Sequence, residues 1–347
     1  MGADSAERLA GRRIALTGGT GFIGTHLLTE LISAGANAEL LGPTPFRRAE
    51  IGRLIDAAAL RYWPRALAGD DASLHEVLRG CDSLVHLAYH FPRATAFWAR
   101  FAEEVRCNLL PTVRLLEAAE KTDLDFVCFA SSVTVYGRAQ KGVREDGPLH
   151  VATPYSAVKL IQEACVRQWT RRTGRRAAIL RLATVYGPGE TVSRAVPNFI
   201  RAVLAGRSPV VDGHGQQLFD LIFVTDVAEA FVAALERRPK STFNIGSGRG
   251  RTPREVATLV TRLCGATMPI VGNGTARDHG APICDVSRAA TRLGFRPRTS
   301  LEAGLREEIQ WLRALLAPTP TALPVPSARR REPPATDRKY VASRICD

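Results

Sequence analysis

No stretch of this chain approaches the roughly 18 uninterrupted apolar residues that cross a membrane, so no spanning helix is expected. The N-terminus, MGADSAERLAGRR, is charged and lacks the apolar core of a secretory signal. The seven cysteines are scattered, with no CxxC pair and no metal-ligand spacing. A reduced, cytoplasmic protein without a bound metal is therefore expected. Acids are also short: 34 Asp and Glu face 47 Lys and Arg, for a formal charge of +13. Such an excess raises nucleic acid as a partner, but its distribution argues against one. Residues 317–347 carry six basic and three acidic residues, and the other arginines are spread without an aromatic-interleaved stripe.

What is present is a 45% hydrophobic chain of 347 residues, enough for one large α/β domain or two lobes sharing a cleft. Arg13 to Thr17 (RIALT) is an apolar run leading straight into GGTGFIG and then THLLTELISAG. This reads as a buried strand, a glycine turn and a helix beginning near Phe22. Gly18 permits the tight turn, Gly21 lets the backbone approach a pyrophosphate, and Gly24 allows close packing of helix on sheet. The spacing predicts dinucleotide binding, with Phe22 and Ile23 in the helix's first turn.

The second strand, AELL, ends at Leu41, where an NAD-binding fold usually carries an acid for the adenosine ribose. Gly42 follows instead, with Arg47 and Arg48 shortly after. Absence of the acid and nearby arginines favour a 2′-phosphate, hence NADP(H), with NAD(H) as the alternative. Asp70 stands where it would accept from the adenine amino group. Leu87 and the small Ala88, at the end of SLVHLA, let a cofactor pass closely. His86 within that strand reads as packed. Asn108 opens a helix, NLLPTVRLLEAAEK, whose apolar spacing faces a sheet.

DFVCFASS delivers Ser131 and Ser132 to a strand's C-terminal end, where ligands of such sheets bind. Downstream, YSAVK places Tyr155 and Lys159 one helical turn apart on one face. An ammonium beside a phenol favours the phenolate and brings the tyrosine toward working pH. Tyr155 is thus a candidate general acid/base for a carbonyl–alcohol pair, with Ser132 bonding the same oxygen.

TGGTGFIG, AGD, SLVHLA, SSVTVYG and YSAVK, in this order, resemble the extended short-chain dehydrogenase/reductase family, over roughly Arg12 to Leu316. The resemblance implies a Rossmann-type doubly wound parallel sheet over residues 10–180, returning near 219–246, with a smaller substrate-binding lobe mainly over 181–316. Residues 317–347, rich in proline and basic, read as a disordered tail. By the same resemblance Ser132, Tyr155 and Lys159 form the catalytic triad, Asn108 supports a water or a helix bend, and Lys159 also holds the nicotinamide ribose.

The segments from VPNFI to the final helix resemble nucleotide-sugar enzymes, implying a nucleoside diphosphate sugar as substrate. Thr134 and Asn198 would then face it and Arg277 would pair with its diphosphate. The family's dimerisation through a four-helix bundle, here the helices after Asn108 and Tyr155, implies a homodimer. Three departures stand out. Phe219 precedes Asp220 where an arginine is common, His214 replaces an aspartate in the preceding turn, and Val133 and Thr134 replace the Asp-Glu pair of 4,6-dehydratases. Without those carboxyls an elimination lacks its acid and base. The preferred expectation is an NADPH-dependent ketoreductase of a 4-keto-6-deoxy sugar nucleotide. The alternatives are an NAD-dependent 4-epimerase, a non-catalytic nucleotide-binding regulator, and an enzyme of a steroid or another alcohol.

Overall fold

The computed structural model describes residues 8–42, 59–64, 67, 71–138, 140–274 and 280–317. Seven strands make the central sheet: β1 (Arg13–Thr17), β2 (Asn37–Gly42), β3 (Leu60–Pro64), β4 (Ser83–His86), β5 (Phe126–Ser132), β6 (Arg176–Leu182) and β7 (Ser241–Ile245). They lie in the order β7-β6-β5-β4-β1-β2-β3, and each neighbouring pair is parallel. Parallel strands covered on both faces read as continuous apolar runs rather than alternations; all seven residues of β5 are buried.

Ten helices complete the described residues: α1 (Phe22–Ser33), α2 (Asp71–Leu78), α3 (Phe97–Glu104), α4 (Leu110–Glu120), α5 (Pro154–Thr173), α6 (Ala195–Leu204), α7 (Val224–Arg237), α8 (Pro253–Leu263), α9 (Ser287–Arg292) and α10 (Leu301–Leu316). One core packs α1 and α7 on one face of the sheet, through Leu27, Leu31, Val227 and Phe231. A second core covers the other face with α2, α4 and α5, through Leu74, Leu115, Val166 and Trp169. A third joins α6, α8 and α10 around Tyr186 and Phe223. That third core belongs to a lobe built on a small sheet of Thr184–Tyr186, Phe219–Phe223 and Gly250–Arg251.

Strand order reverses between β1 and β4, which opens a crevice at their carboxyl ends. Asp220, fully buried at the foot of the lobe, ties its loops together. It accepts from the Ser247 amide and hydroxyl (both 2.7 Å) and from the Gly248 and Cys284 amides (both 3.1 Å). Among the described residues no helix is long and apolar enough to cross a membrane, and none forms a metal-ligand cluster.

Candidate active site

Thr153 caps α5 in a reciprocal box with Ser156, and Pro154 fills the first turn, where its missing N–H leaves no gap. Tyr155 therefore stands in the first turn and Lys159 in the second, both against the end of β5. The structure brings Ser132, Tyr155 and Lys159 together. Ser132 faces the half-buried Tyr155 phenol and favours its ionised form, and its Oγ accepts from the Thr134 hydroxyl at 3.1 Å.

Lys159 is only 4% exposed; its Nζ donates to the Ala130 carbonyl at 2.9 Å. It lies 5.0 Å from the Tyr89 ring centroid and 4.9 Å from that of Phe129. The lysine does not draw the phenol down as the sequence suggests, because its ammonium is turned to Ala130. Burial pushes the Tyr155 phenol above its ordinary value, opposed by Ser132 and the Arg194 charge, while Glu104 adds to the rise. Burial also brings the Lys159 ammonium down to about 8, against the raising charges of Glu104 and Glu163.

Asn108 does not open a helix. It sits in a π turn, Val105–Leu109, inside one continuous helical stretch from α3 to α4. Pro111 has no N–H to offer the preceding turn, and the Leu110 amide bonds the Val105 carbonyl instead. The buried Asn108 side chain accepts from the His90 amide (2.7 Å) and donates to the His90 carbonyl (2.9 Å) and to Glu104 (2.7 Å). Its own carbonyl accepts from Gln162 and Thr112.

His86 is packed, as expected. Its ring nitrogens bond Thr17 (2.7 Å) and Thr112 (2.8 Å). Burial, reinforced by Lys159, holds the imidazole neutral by lowering it to about 3. Asn198 is exposed on α6 and pairs with Ser193. Arg47, Asp70 and Arg277 lie outside the described residues.

Four contributors were missed in the sequence. Glu163, one turn beyond Lys159, accepts from Ser131 (2.6 Å) and Arg167 (2.6 Å) and meets the buried Arg181 at 2.8 Å. Its i+4 spacing from Lys159 was a readable signal. Arg194 precedes α6 and puts its charge near Tyr155. Tyr89 and Glu104 meet through a hydrogen bond from the phenol to the carboxylate. No local pattern signals the last three, since each depends on tertiary approach.

Residues 14–246 match the NAD dependent epimerase/dehydratase family. The chain belongs to that family. It is an enzyme of the extended short-chain dehydrogenase/reductase type. It is similar to an uncharacterized UDP-glucose epimerase, YtcB, of Bacillus subtilis (strain 168), 29% identical over 314 residues that cover 87% of this chain and 98% of the relative. Among solved structures it is similar to MoeE5 in complex with UDP-glucuronic acid and NAD, at 32% identity and TM-score 0.77, covering 88% of this chain and 100% of that one. It is also similar to UDP-glucuronic acid 4-epimerase from Bacillus cereus in complex with UDP-glucuronic acid and NAD, at 26% identity and TM-score 0.79, covering 87% and 99%.

The residues at the crevice fit a dinucleotide. Gly18 has a φ of +74°, and a Cβ there would lie 2.6 Å from the Ala88 amide nitrogen. At Gly24 a Cβ would lie 2.1 Å from the Gly18 carbonyl oxygen. The turn is therefore closed to any side chain, and α1 begins at Gly21 without a side-chain cap. Its first amides are thus left for an anion.

Proposed function

We propose that this enzyme is an NAD-dependent 4-epimerase of a nucleoside diphosphate sugar, with a glucuronic acid form as the first substrate to test. The observation that carries the reading is the convergence of the Ser132 hydroxyl and the Tyr155 phenol beside Lys159, with no carboxyl at positions 133 and 134. Such a site exchanges a proton at one sugar hydroxyl and lacks the acid and base of an elimination. The epimerase reading replaces the ketoreductase expectation because the similar proteins bear epimerase names or hold NAD. NAD(H) likewise replaces the NADP(H) preference. That preference stood on Gly42 with Arg47 and Arg48. Gly42 does end β2, facing the Tyr62 ring, while Arg47 and Arg48 lie outside the described residues.

A bound nicotinamide would supply the acceptor, and then the donor, of the hydride at the sugar's C4. Gly18, Gly21, Phe22, Ile23 and Gly24 would hold the pyrophosphate, Leu87 and Ala88 would border the cofactor, and Lys159 would hold the ribose. Tyr155 removes the proton of the 4-hydroxyl and gives it back after the keto sugar has turned. Ser132 bonds the same oxygen throughout and keeps it aligned with the phenol. Arg194, whose charge reaches Tyr155, suits an anionic group on the sugar. Thr134, in the turn after β5, and Asn198, on α6, would face the sugar. In the lobe, a groove of about 900 Å³ lined by Arg249, Arg251 and Arg298 adds positive charge of the sign a nucleotide requires.

The test is incubation with NAD and UDP-glucuronic acid, UDP-glucose or UDP-N-acetylglucosamine, read by proton NMR. A parallel arm pairs NADPH with a nucleotide 4-keto-6-deoxy sugar. A C4-epimer formed without net nicotinamide change supports the epimerase. Stoichiometric NADPH oxidation would return the ketoreductase.

A further inference from the structure

Three side chains that the proposed reaction does not use converge on the two that it does. Tyr89 presents its ring edge-to-face to Tyr155, with centroids 5.0 Å apart and planes at 84°. The Lys159 ammonium lies 5.0 Å from the centroid of the same ring. The Tyr89 hydroxyl donates to Oε2 of Glu104, which also accepts from Asn108 at 2.7 Å. Glu104 has no exposed surface, and its Oε1 has no hydrogen-bond partner. Asn108 pins the backbone on the far side of Tyr89 through its two bonds to His90. The next helix residue back from Glu104, Glu103, accepts from the His90 ring (2.9 Å) and the Ala94 amide (3.2 Å).

A carboxylate in this setting is expensive as scaffolding alone. Leaving a buried polar atom unbonded costs stability, and more so for a charged group. Its presence is explained if its charge is used. We propose that Tyr89 is a positioning residue that fixes the Tyr155 ring and the Lys159 ammonium together, and that Glu104 is the buried counter-charge serving that pair. The hydrogen bond to the carboxylate enriches the Tyr89 ring in negative charge, which strengthens its hold on the ammonium.

The charged and titratable neighbours of this cluster are few. Lys159 is faced by Glu104 from α3 and Glu163 from α5, and its own charge adds to the burial that keeps the His86 ring neutral. Tyr155 is faced by Arg194 and Glu104, and Tyr89 by Glu104, Tyr155 and Arg100. Glu104 therefore raises the proton affinity of Lys159 and Tyr155 alike. Removing its charge moves both groups toward acid, a signature that simple loosening of the fold does not produce.

The inference rests on Tyr155 and Lys159 being the working pair, so the test reads them with and without turnover. Lys159 is titrated by 13C-lysine NMR in the ligand-free protein for the parent and for Glu104→Gln, which keeps the shape of the side chain. The expected result is a midpoint lower by about half a unit or more, with the pH profile of kcat moved the same way and KM within about twofold. Tyr89→Phe keeps the ring and removes the hydroxyl; kcat is expected to fall about 5- to 20-fold at nearly constant KM. Circular dichroism establishes that each variant is folded. A Lys159 midpoint in folded Glu104→Gln that overlays the parent overturns the proposal, and so does full kcat in Tyr89→Phe. If no sugar nucleotide is turned over, the function reading fails separately, and the ligand-free titration still decides this one.

Discussion

Lys159 and Glu163, one turn apart on α5, grip consecutive residues of β5: the ammonium takes the Ala130 carbonyl at 2.9 Å and the carboxylate takes the Ser131 hydroxyl at 2.6 Å. Helix and strand are thereby locked in register at the point where Ser132 emerges. The price of that burial is a weakened lysine base, since its ammonium falls to about 8.

A pH dependence of activity follows from this value. Lys159 remains charged below about pH 8 and loses its proton as the pH rises through it. Because the charged form is the one proposed to hold the nicotinamide ribose, kcat is expected to decline on the alkaline side with a midpoint near 8. A profile flat to pH 10 would remove Lys159 from that role.

Tyr155→Phe deletes the proposed acid/base while leaving the ring against Tyr89. Turnover should fall by about 10²- to 10⁴-fold, the usual worth of general acid–base catalysis. NAD affinity by calorimetry should stay within about twofold of the parent, since the phenol's role is in the chemistry. Near-normal turnover would assign the proton to another group.

A buried pair of acids in the lobe gives a stability prediction of definite sign. Glu190 and Glu308 have almost no exposed surface, and Glu190 meets the cation of Arg194 at 3.4 Å with Arg201 adding a second positive charge. Burial pushes Glu190 up to about 7 and Glu308 up to about 8, the latter helped by the charge of Glu190. The folded state thus keeps protons that the unfolded chain releases near the ordinary value of 4.5. Stability is fullest below that value and declines as the pH rises toward 8. Glu308→Gln should recover on the order of 1–3 kcal/mol at pH 9 and little at pH 5, read by urea unfolding. Equal gains at both pH values would mean that the effect is packing.

Exposed apolar side chains on two adjacent helices bear on assembly. Leu110 (52%) and Val113 (42%) on α4 and Ile161 (41%) on α5 remain open to solvent, a cluster that commonly marks an association surface. With the homodimer taken as a proposal, Val113→Glu combined with Ile161→Glu should give a monomer by light scattering. An unchanged mass would place the interface elsewhere, and a monomeric parent would remove it.

The fold was legible because its determinants are local. RIALT before GGTGFIG fixes a strand, a turn and a helix within a dozen residues, and YSAVK fixes Tyr155 and Lys159 by helical spacing alone. The environment of those groups was not legible. Nothing in the order of residues says that Lys159 turns to Ala130, or that Glu104 and Tyr89 meet across a helix and a loop. The proline at 111 was visible, but its displacement into a π turn required knowing that the helix runs on from Phe97. The cofactor preference was not legible for a similar reason, because Gly42 was read for what it lacks.

The last strand of the central sheet is also the last to be synthesised, and this governs how the molecule can be assembled on the ribosome. β7 pairs along its whole length with β6, yet almost sixty residues, part of the lobe and then α7, separate them in the chain. Asn244 within β7 accepts from Tyr136 (2.6 Å) and donates to the Val143 carbonyl (2.8 Å), sealing the loop just beyond Ser132. A nascent chain that has emerged only to β6 therefore carries every proposed catalytic residue and still lacks the edge that braces them. Such a delay exposes β6 as an unpaired border during translation. A fragment ending near residue 180 would inherit that defect permanently, so the two lobes are one unit of biosynthesis although they look like two of architecture.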